Sequence, residues 1–535
     1  MLRFFQKESK TILGAATIVG VLSFASRVVG FVRDRILAGT FGAGDTLDVY
    51  YAAFKIPDLM FNLIVVGALS ASFIPFFLSH YNRTFNGKEQ AWKFTNNTIH
   101  IIGGVVLLFS LILILFAQPL ATLVAPGFQD YKQIRVASFM RVMFLGQILL
   151  AISMIYGSVL QSLKKFFLYA LAPIFYNAGI IVGAFWFVDV LGPIGLAWGV
   201  VLGALLHLLI QIFGMKESGY RYAFVFDLKS KAVRDMARLM GPRTIGLAVN
   251  QLMFLILTII ASTFAAGSLT IFQFAYNIEF FPVGIIGVSF AIAVFPTLSD
   301  HIEKKDMEGF VDVIITTIRQ LLYLLLPMTL LFLVMRAQIV RVVVGAGAFD
   351  WAATISTADT LAFFALTFIP QSLIFLLARA FYALHDTITP LLIAIVSAFV
   401  GIMSVFLFKD AFGVVALAIA YSMAASINAL LLWVTLRKRM GTLKESMLLP
   451  TLFKLTIAGV LSGFTMQILK PITVSLISLE SFVGVFLQGF LAGGAGLVVY
   501  LLMGWILQIE EQQKLLSMFK RGSLKQAAPQ EVFPE

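Results

Sequence analysis

The sequence contains no cysteine. Disulfides, thiolate metal sites and a cysteine nucleophile are therefore excluded, while the compartment stays open. Charge is scarce too: 12% of the 535 residues are Asp, Glu, Lys or Arg, about half the roughly 25% usual in soluble domains. Motifs of enzyme chemistry are missing. There is no HExxH, GxSxG or DxD and no acid pair placed for glycosyl transfer, and His80, His100, His207, His301 and His385 are scattered. His100 and His207, in or near apolar runs, read as packed polar residues rather than ligands. No GK[ST] follows a glycine-rich stretch, so ATP is not the expected energy source, and membrane potential or an ion gradient stays open. No catalytic residue, metal or cofactor is expected; the chain does not read as an enzyme.

What is abundant is apolar surface. Hydrophobic residues make up 60% of the chain, with 52 Phe, and runs long enough to cross ~30 Å of hydrocarbon recur along its length. Strand-type alternation is absent, so the fold class is all-α: a polytopic membrane protein whose helices satisfy their own backbone groups. Fourteen transmembrane helices are expected, at 11–32, 49–78, 94–117, 136–160, 168–188, 193–213, 240–265, 269–298, 310–334, 361–382, 388–408, 414–436, 452–469 and 482–507. "MLRFFQKESK" and the apolar run after it resemble a signal peptide. No small-residue cleavage site ends that run before Arg27, so it is kept as the first span.

The net charge is +12, from 39 Lys and Arg against 27 Asp and Glu. The basic residues sit between spans, where orientation signals sit, so nucleic acid is not the expected partner. With the N-terminus inside, the inner segments hold 24 basic residues and the outer ones 8. Both termini are therefore expected in the cytoplasm.

The two halves echo each other. "TFGAG" at 40–44 is answered by "TFAAG" at 263–267, "AFKI" at 53–56 by "AYNI" at 275–278, and "FIPFFLSH" at 73–80 by "VFPTLSDH" at 294–301. Phe128 in "APGF" pairs with Phe349 in "AGAF", Leu163 with Leu384, and "GPIGLA" at 192–197 with "GVVALA" at 413–418. The offset stays between 220 and 223. Spans one to six thus correspond to seven to twelve, giving two pseudo-symmetric six-helix lobes plus two C-terminal helices, with a cargo site expected between the lobes. The expected boundaries are 1–218 and 219–440 for the lobes, 441–510 for the last two spans and 511–535 for a cytoplasmic tail.

Charges inside spans are costly and mark function or internal pairing. The first lobe carries Arg27, Arg33, Asp34, Arg35, Asp48, Lys55 and Asp58; the second has Arg243, then Asn277 opposite Lys55, with Glu279 nearby. Arg27 and Asp34 are seven residues apart and share a helix face, which permits an internal salt bridge. The alternative is a hydrated cationic cavity of Arg27, Arg33, Arg35 and Lys55 for an anionic head group, since arginine forks match phosphate oxygens. Asp34, Asp48, Asn277 and Glu279 would support or gate it. Gly42 and Gly44 read as the tight reversal between spans one and two.

"SRVVGFVRD" at 26–34, "FGAGDTLDVYYAAFKIPDL" at 41–59 and "GALSASFIP" at 67–75 resemble the N-terminal signature of the MurJ (MviN) lipid II flippases, in the MOP exporter superfamily. "APIFYNAGII" at 172–181, "GPRTIGLAVNQ" at 241–251, "FPVGIIGVSFAIAVFPTLS" at 281–299 and "FYALHDTITP" at 381–390 follow in order. The resemblance implies fourteen helices around a cationic cavity in the bacterial cytoplasmic membrane. It also implies a groove for the lipid tail at the last two spans, and as cargo lipid II or a related polyprenyl-diphosphate glycolipid. Arg27, Arg33, Asp34 and Asp48 match family positions that line or support the cavity. Two departures stand out: Phe61, Asn62 and Val66 replace an Arg pair and a Glu, and Asn277 replaces an Arg. The expected partners are the cargo and membrane lipids, and the chain reads as a monomer. The competing readings are another exporter of the superfamily and a non-transporting scaffold of cell-wall synthesis.

Overall fold

The computed structural model describes residues 12–69, 73–83, 85–474, 481–514 and 516–517. The expected cytoplasmic N-terminus, most of the 511–535 tail and residues 70–72 of "GALSASFIP" lie outside the described residues. Among the described residues there is no strand, as expected where no water is present to satisfy a sheet edge.

The helices of the first half are α1 (Ile12–Phe41), α2 (Asp45–Phe61), α3 (Gly67–Leu69), α4 (Phe73–Tyr81), α5 (Gly87–Leu115), α6 (Ala117–Val124), α7 (Asp130–Ser162), α8 (Phe166–Val182), α9 (Val188–Leu191) and α10 (Gly195–Glu217). Those of the second half are α11 (Lys231–Ala261), α12 (Ser268–Pro282), α13 (Val288–Glu303), α14 (Met307–Val343), α15 (Trp351–Ala365), α16 (Phe368–Ala383), α17 (Ile388–Phe412) and α18 (Val415–Met440). The chain closes with α19 (Leu448–Val474) and α20 (Phe482–Ile506). Short π-helical stretches at Asn62–Val66, Gly183–Phe187 and Val283–Gly287 carry α2, α8 and α12 onward.

Among the described residues ten helical runs are long and apolar enough to cross a membrane, or eleven with α15 and α16, bent by 41°, as one span. One run, Phe166–Glu217, has 52 residues, ~78 Å of helix at 1.5 Å per residue. That is far beyond the ~30 Å of a hydrocarbon core. The run reverses at Gly192, whose φ is +70°, and α8 packs back on α10, so it supplies two crossings. With α1 and α11 at the first and seventh expected spans, the arrangement is consistent with fourteen.

The repeat is visible in the backbone. The π-helical stretches at Asn62–Val66 and Val283–Gly287 lie 221 positions apart. At the same offset, Lys164 and His385 both have φ 59°, and Gly192 and Gly413 have φ +70° and +53°. By contact the chain forms two compact units that cut it elsewhere than the repeat does. The first is Met1–Phe274 with Val343–Ser356 and Ala411–Leu417; the second is Ala275–Val342, Thr357–Asp410 and Ala418–Glu535.

In the first unit α8 meets α10 through two GxxxG patterns. A Cβ on Gly179 would lie 2.3 Å from the Gly203 Cα, and one on Gly183 would lie 2.4 Å from the Gly199 Cα. Small residues at this spacing let backbones touch, which drives helix association where no hydrophobic effect is available. α10 also packs on α7, where Ser153 Oγ lies 2.7 Å from His207 Nδ1, so His207 is a packed polar residue. The motifs "TFGAG", "TFAAG" and "AGAF" meet at the α1–α2 turn. Gly42 has φ +66° and faces the Ala348 carbonyl, Gly267 has φ +88° and faces the Ala43 carbonyl, and Ala348 N donates to Gly39 O at 2.8 Å. The connector from α10 to α11 is extended, and side chains of α5 satisfy its backbone. Asn96 Nδ2 donates to Arg221 O, Asn97 exchanges two bonds with Asp227, and His100 Nδ1 lies 2.9 Å from Val225 O.

In the second unit α19 and α20 pack together, with Ser462 Oγ donating to Gly496 O at 2.7 Å. They also hold to α14: Tyr500 OH donates to Tyr323 O, and Met335, Met466 and Ala492 form a buried cluster. Asp386 accepts from the backbone of Ile388 and Thr389 and caps α17. On the loop after α18, hydrogen bonds from Lys444 to Asp312 and Glu308 hold its ammonium above the ordinary lysine range.

Filling the α8–α10 contact should be costly. Gly183→Ala and Gly203→Ala should each destabilise the protein by about 1–3 kcal/mol, whereas Gly104→Ala, with nothing within 4 Å, should be neutral. Thermal unfolding of purified protein in detergent checks this; equal losses in all three variants would refute the packing argument.

Candidate functional site

The first unit gathers buried polar groups from α1, α2, α7, α8 and α12. Arg33 is at its centre. Its Nε and Nη2 donate to Asp34 Oδ1 at 3.0 and 2.7 Å, and its Nη1 donates to Asn177 Oδ1 at 2.8 Å. Asn177 in turn donates to Pro173 O, which bonds with a carbonyl of its own helix and so fixes the amide. Asp34 is 2% exposed, so its charge would be costly without the guanidinium. Of the five guanidinium N–H groups, three are used. The two that remain among the described residues sit one on each Nη nitrogen, and the side chain is 21% exposed. A fork of this kind grips a pair of phosphate oxygens.

Lys55, on α2, supplies a second cation. Its Nζ donates to Gln273 Oε1 at 3.1 Å and lies 6.0 Å from the centre of the Phe254 ring. Asp58, one turn on, accepts from Gln147 Nε2 at 3.3 Å. Tyr50, buried, and Tyr176, half-buried, both lie near Arg33 and Asp58.

The remaining candidates are distributed differently. Arg27 is half-buried two turns before Asp34 on α1, while the ion pair that Asp34 makes at 2.7 Å is with Arg33. Arg35 is about 200° around α1 from Arg33, so the two do not share a face. Asp48 is 1% exposed and spent on the start of α12: Gly267 N, Thr270 N and Thr270 Oγ1 all donate to its carboxylate. Gly42 has the left-handed backbone of a reversal, whereas Gly44 has φ −162° and is the extended residue before α2. Asn277 and Glu279 belong to the second unit; Asn277 is half-buried and Glu279 buried. At the first departure, Asn62 Nδ2 donates to Asp58 O at 2.8 Å. A short local bond thus takes the place of a long cation.

Asn177, Gln147 and Gln273 complete this site without having been singled out from the sequence. The available signal was a polar residue inside an apolar span, such as Asn177 in "APIFYNAGII". Among the described residues no group of acids and histidines could hold a metal ion. The site can bind and orient an anion.

Comparison with known proteins shows the family and the fold. The family model described as lipid II flippase MurJ matches residues 37–486. A probable lipid II flippase MurJ of Rhizobium tropici is 30% identical over 435 residues, covering 79% of this chain and 80% of the relative. One from Buchnera aphidicola subsp. Baizongia pistaciae is 27% identical over 427 residues, covering 79% and 83%. In fold, the chain is similar to a solved lipid II flippase MurJ in an inward closed conformation (TM-score 0.71, 22% identity, 92% and 98% covered). It is also similar to an inward-facing MATE family multidrug transporter of the MOP superfamily (TM-score 0.65, 13% identity, 80% and 99% covered). With the family model spanning most of its length, the chain belongs to the lipid II flippase MurJ family.

Proposed function

We propose that this protein is a lipid II flippase of the bacterial cytoplasmic membrane, carrying the undecaprenyl-diphosphate-linked precursor from the inner to the outer leaflet by alternating access. It works as a monomer with both termini in the cytoplasm. The observation that carries the reading to particular residues is the pair of N–H groups left on the two Nη nitrogens of Arg33 while Asp34 and Asn177 hold the rest of the guanidinium. A diphosphate entering there meets an oriented fork rather than a flexible chain, so little ordering is lost on binding. Lys55, Arg27 and Arg35 add positive charge on α1 and α2. Asp34 keeps Arg33 from being a lone buried cation when no cargo is bound. Spans at 452–469 and 482–507 hold the lipid tail, and the lobes divide at residues 218 and 440.

A second reading, another lipid-linked anion as cargo, is favoured by one observation. Asn62 and Asn277 stand where the resemblance implies arginines, and Asn62 is bonded to its own helix. That cargo would carry less charge or a smaller head group.

Arg33→Ala and Arg33→Lys should both weaken lipid II binding and transport. The loss of a charge-assisted bond, about 1.5–3 kcal/mol, corresponds to ten- to hundredfold in affinity. Arg33→Ala should also lower abundance, because buried Asp34 loses its 2.7 Å guanidinium contact; adding Asp34→Asn should restore abundance. Native mass spectrometry with lipid II and accumulation of the precursor on the inner leaflet are the readouts. If the double variant regains transport along with abundance, Arg33 is only structural and the reading fails.

Topology has its own check, made simple by the absence of native cysteine. Single cysteines at Lys229 and Lys438 should be protected from an impermeant thiol reagent in sealed cells, and those at Ala266 and Lys409 should react. Outside labelling of Lys229→Cys would overturn the orientation.

A further inference from the structure

Glu279 is the buried carboxyl that the anion site does not use. It lies on α12, one turn before Pro282 and the π-helical stretch Val283–Gly287, and is 1% exposed. No cation lies within salt-bridge reach of it among the described residues, and its Oε2 is buried with no hydrogen-bond partner. Its Oε1 lies 2.6 Å from Thr367 Oγ1, and Thr367 Oγ1 lies 2.6 Å from the Phe364 carbonyl. A hydroxyl has one hydrogen to give. The Thr367 hydroxyl can give its hydrogen to Glu279 Oε1 or to Phe364 O, but not to both at once. Either way Glu279 Oε2 is left without a partner, and a proton on the carboxyl removes the buried charge and lets it donate as well as accept.

The surroundings favour the same state. An unpaired carboxylate away from water is costly enough that such a group neutralises itself. The titratable groups facing Glu279 are Tyr276 on its own helix and Tyr421 on α18, both neutral phenols. Gln371, one turn beyond Thr367, gives its amide to the Tyr421 hydroxyl at 2.8 Å, so it brings no charge either. No second carboxylate approaches, and no metal-binding group is present among the described residues.

The position of the contact gives the proton a mechanical consequence. Thr367 is fully buried at the break between α15 and α16, where the axis turns by 41°. Beyond Glu279, the end of the π-helical stretch presses on the same helix: a Cβ on Gly287 would lie 2.3 Å from Ser372 Oγ. α12 is thus fastened to the broken span at two points, and the Glu279–Thr367 contact is the one whose charge a proton sets: neutral it stays buried, charged it is drawn toward water.

We propose that Glu279 is a proton-binding site whose occupancy fastens α12 to the α15–α16 break, and whose deprotonation releases it. The site couples a proton to rearrangement of the second unit whatever anion the first unit carries. Release requires the carboxylate to reach water, so the fastened state weakens as the pH rises, by at most about tenfold in equilibrium constant per pH unit.

The test uses the full-length protein in lipid nanodiscs. Glu279→Gln keeps a neutral, hydrogen-bonding group in place. Infrared difference spectra across a pH step should show a protonated-carboxyl band in wild type that is lost in Glu279→Gln and shifted in Glu279→Asp. Hydrogen–deuterium exchange of peptides spanning 360–372 should be alike in wild type and Glu279→Gln at low pH. At high pH it should be faster in wild type alone, a comparison at equal pH that removes the intrinsic rate. Thr367→Val should remove the difference between the two. Three results would overturn the proposal: the band surviving in Glu279→Gln, wild type and Glu279→Gln exchanging alike at every pH, or a midpoint that follows sodium concentration at fixed pH. Neither readout involves lipid II, so failure here is separable from failure of the flippase reading.

Discussion

Hydrocarbon offers no hydrogen bonds, and the rest of this structure follows from that constraint. Each backbone group has to be satisfied within its own helix, so local variety arises where a helix breaks or where a polar side chain is buried. The π-helical stretches at Asn62–Val66 and Val283–Gly287, the reversals at Gly42 and Gly192 and the break at Thr367 are the places where the backbone departs from α-helix. Three of them adjoin titratable groups. Asn62 binds back to Asp58 O where α2 turns π-helical; Glu279 lies just before the equivalent stretch of the second half. Irregular backbone and buried charge occur together because each creates polar groups that the other can satisfy.

The same constraint treats two buried acids in opposite ways. Asp34 has a guanidinium beside it and is held as an ion pair, whose remaining N–H groups stay available to an anion. Glu279 has only hydroxyls and phenols around it, and neutrality is the cheaper state there. A cation with an internal counter-ion is not left as a lone charge in an apolar setting. A carboxyl that responds to protons benefits from having no counter-ion. One chain uses both arrangements, in different units.

Much of the architecture was legible in the sequence. Apolar runs and their spacing located the helices, and the offset of about 221 residues reappears in the paired π-helical stretches and the matched left-handed residues Lys164 and His385. Arg33, Asp34 and Lys55 stood out because a charge in an apolar run is rare on any reading. The division of labour among the charges was less legible. Arg27 and Asp34 share a helix face; that Asp34 also lies 2.7 Å from the adjacent Arg33, which is in turn held by Asn177 of α8, is not something the helical period singles out. Asp48 reads like the other acids of its stretch, but it is spent on the start of α12.

By itself, then, the sequence determined that this is a helical membrane protein with a duplicated core and a cationic first half. Apolarity, helical period and repeat spacing are properties of neighbouring residues and survive without a fold. Only the tertiary structure decided what each charge does. One partner of Arg33 is Asn177, 144 residues away, and one of Asp48 is Thr270, 222 residues away; among the described residues Glu279 makes no ion pair and its Oε2 has no partner. A hydrogen bond depends on a few tenths of an ångström between groups distant in the chain, and that distance is set by how the helices pack.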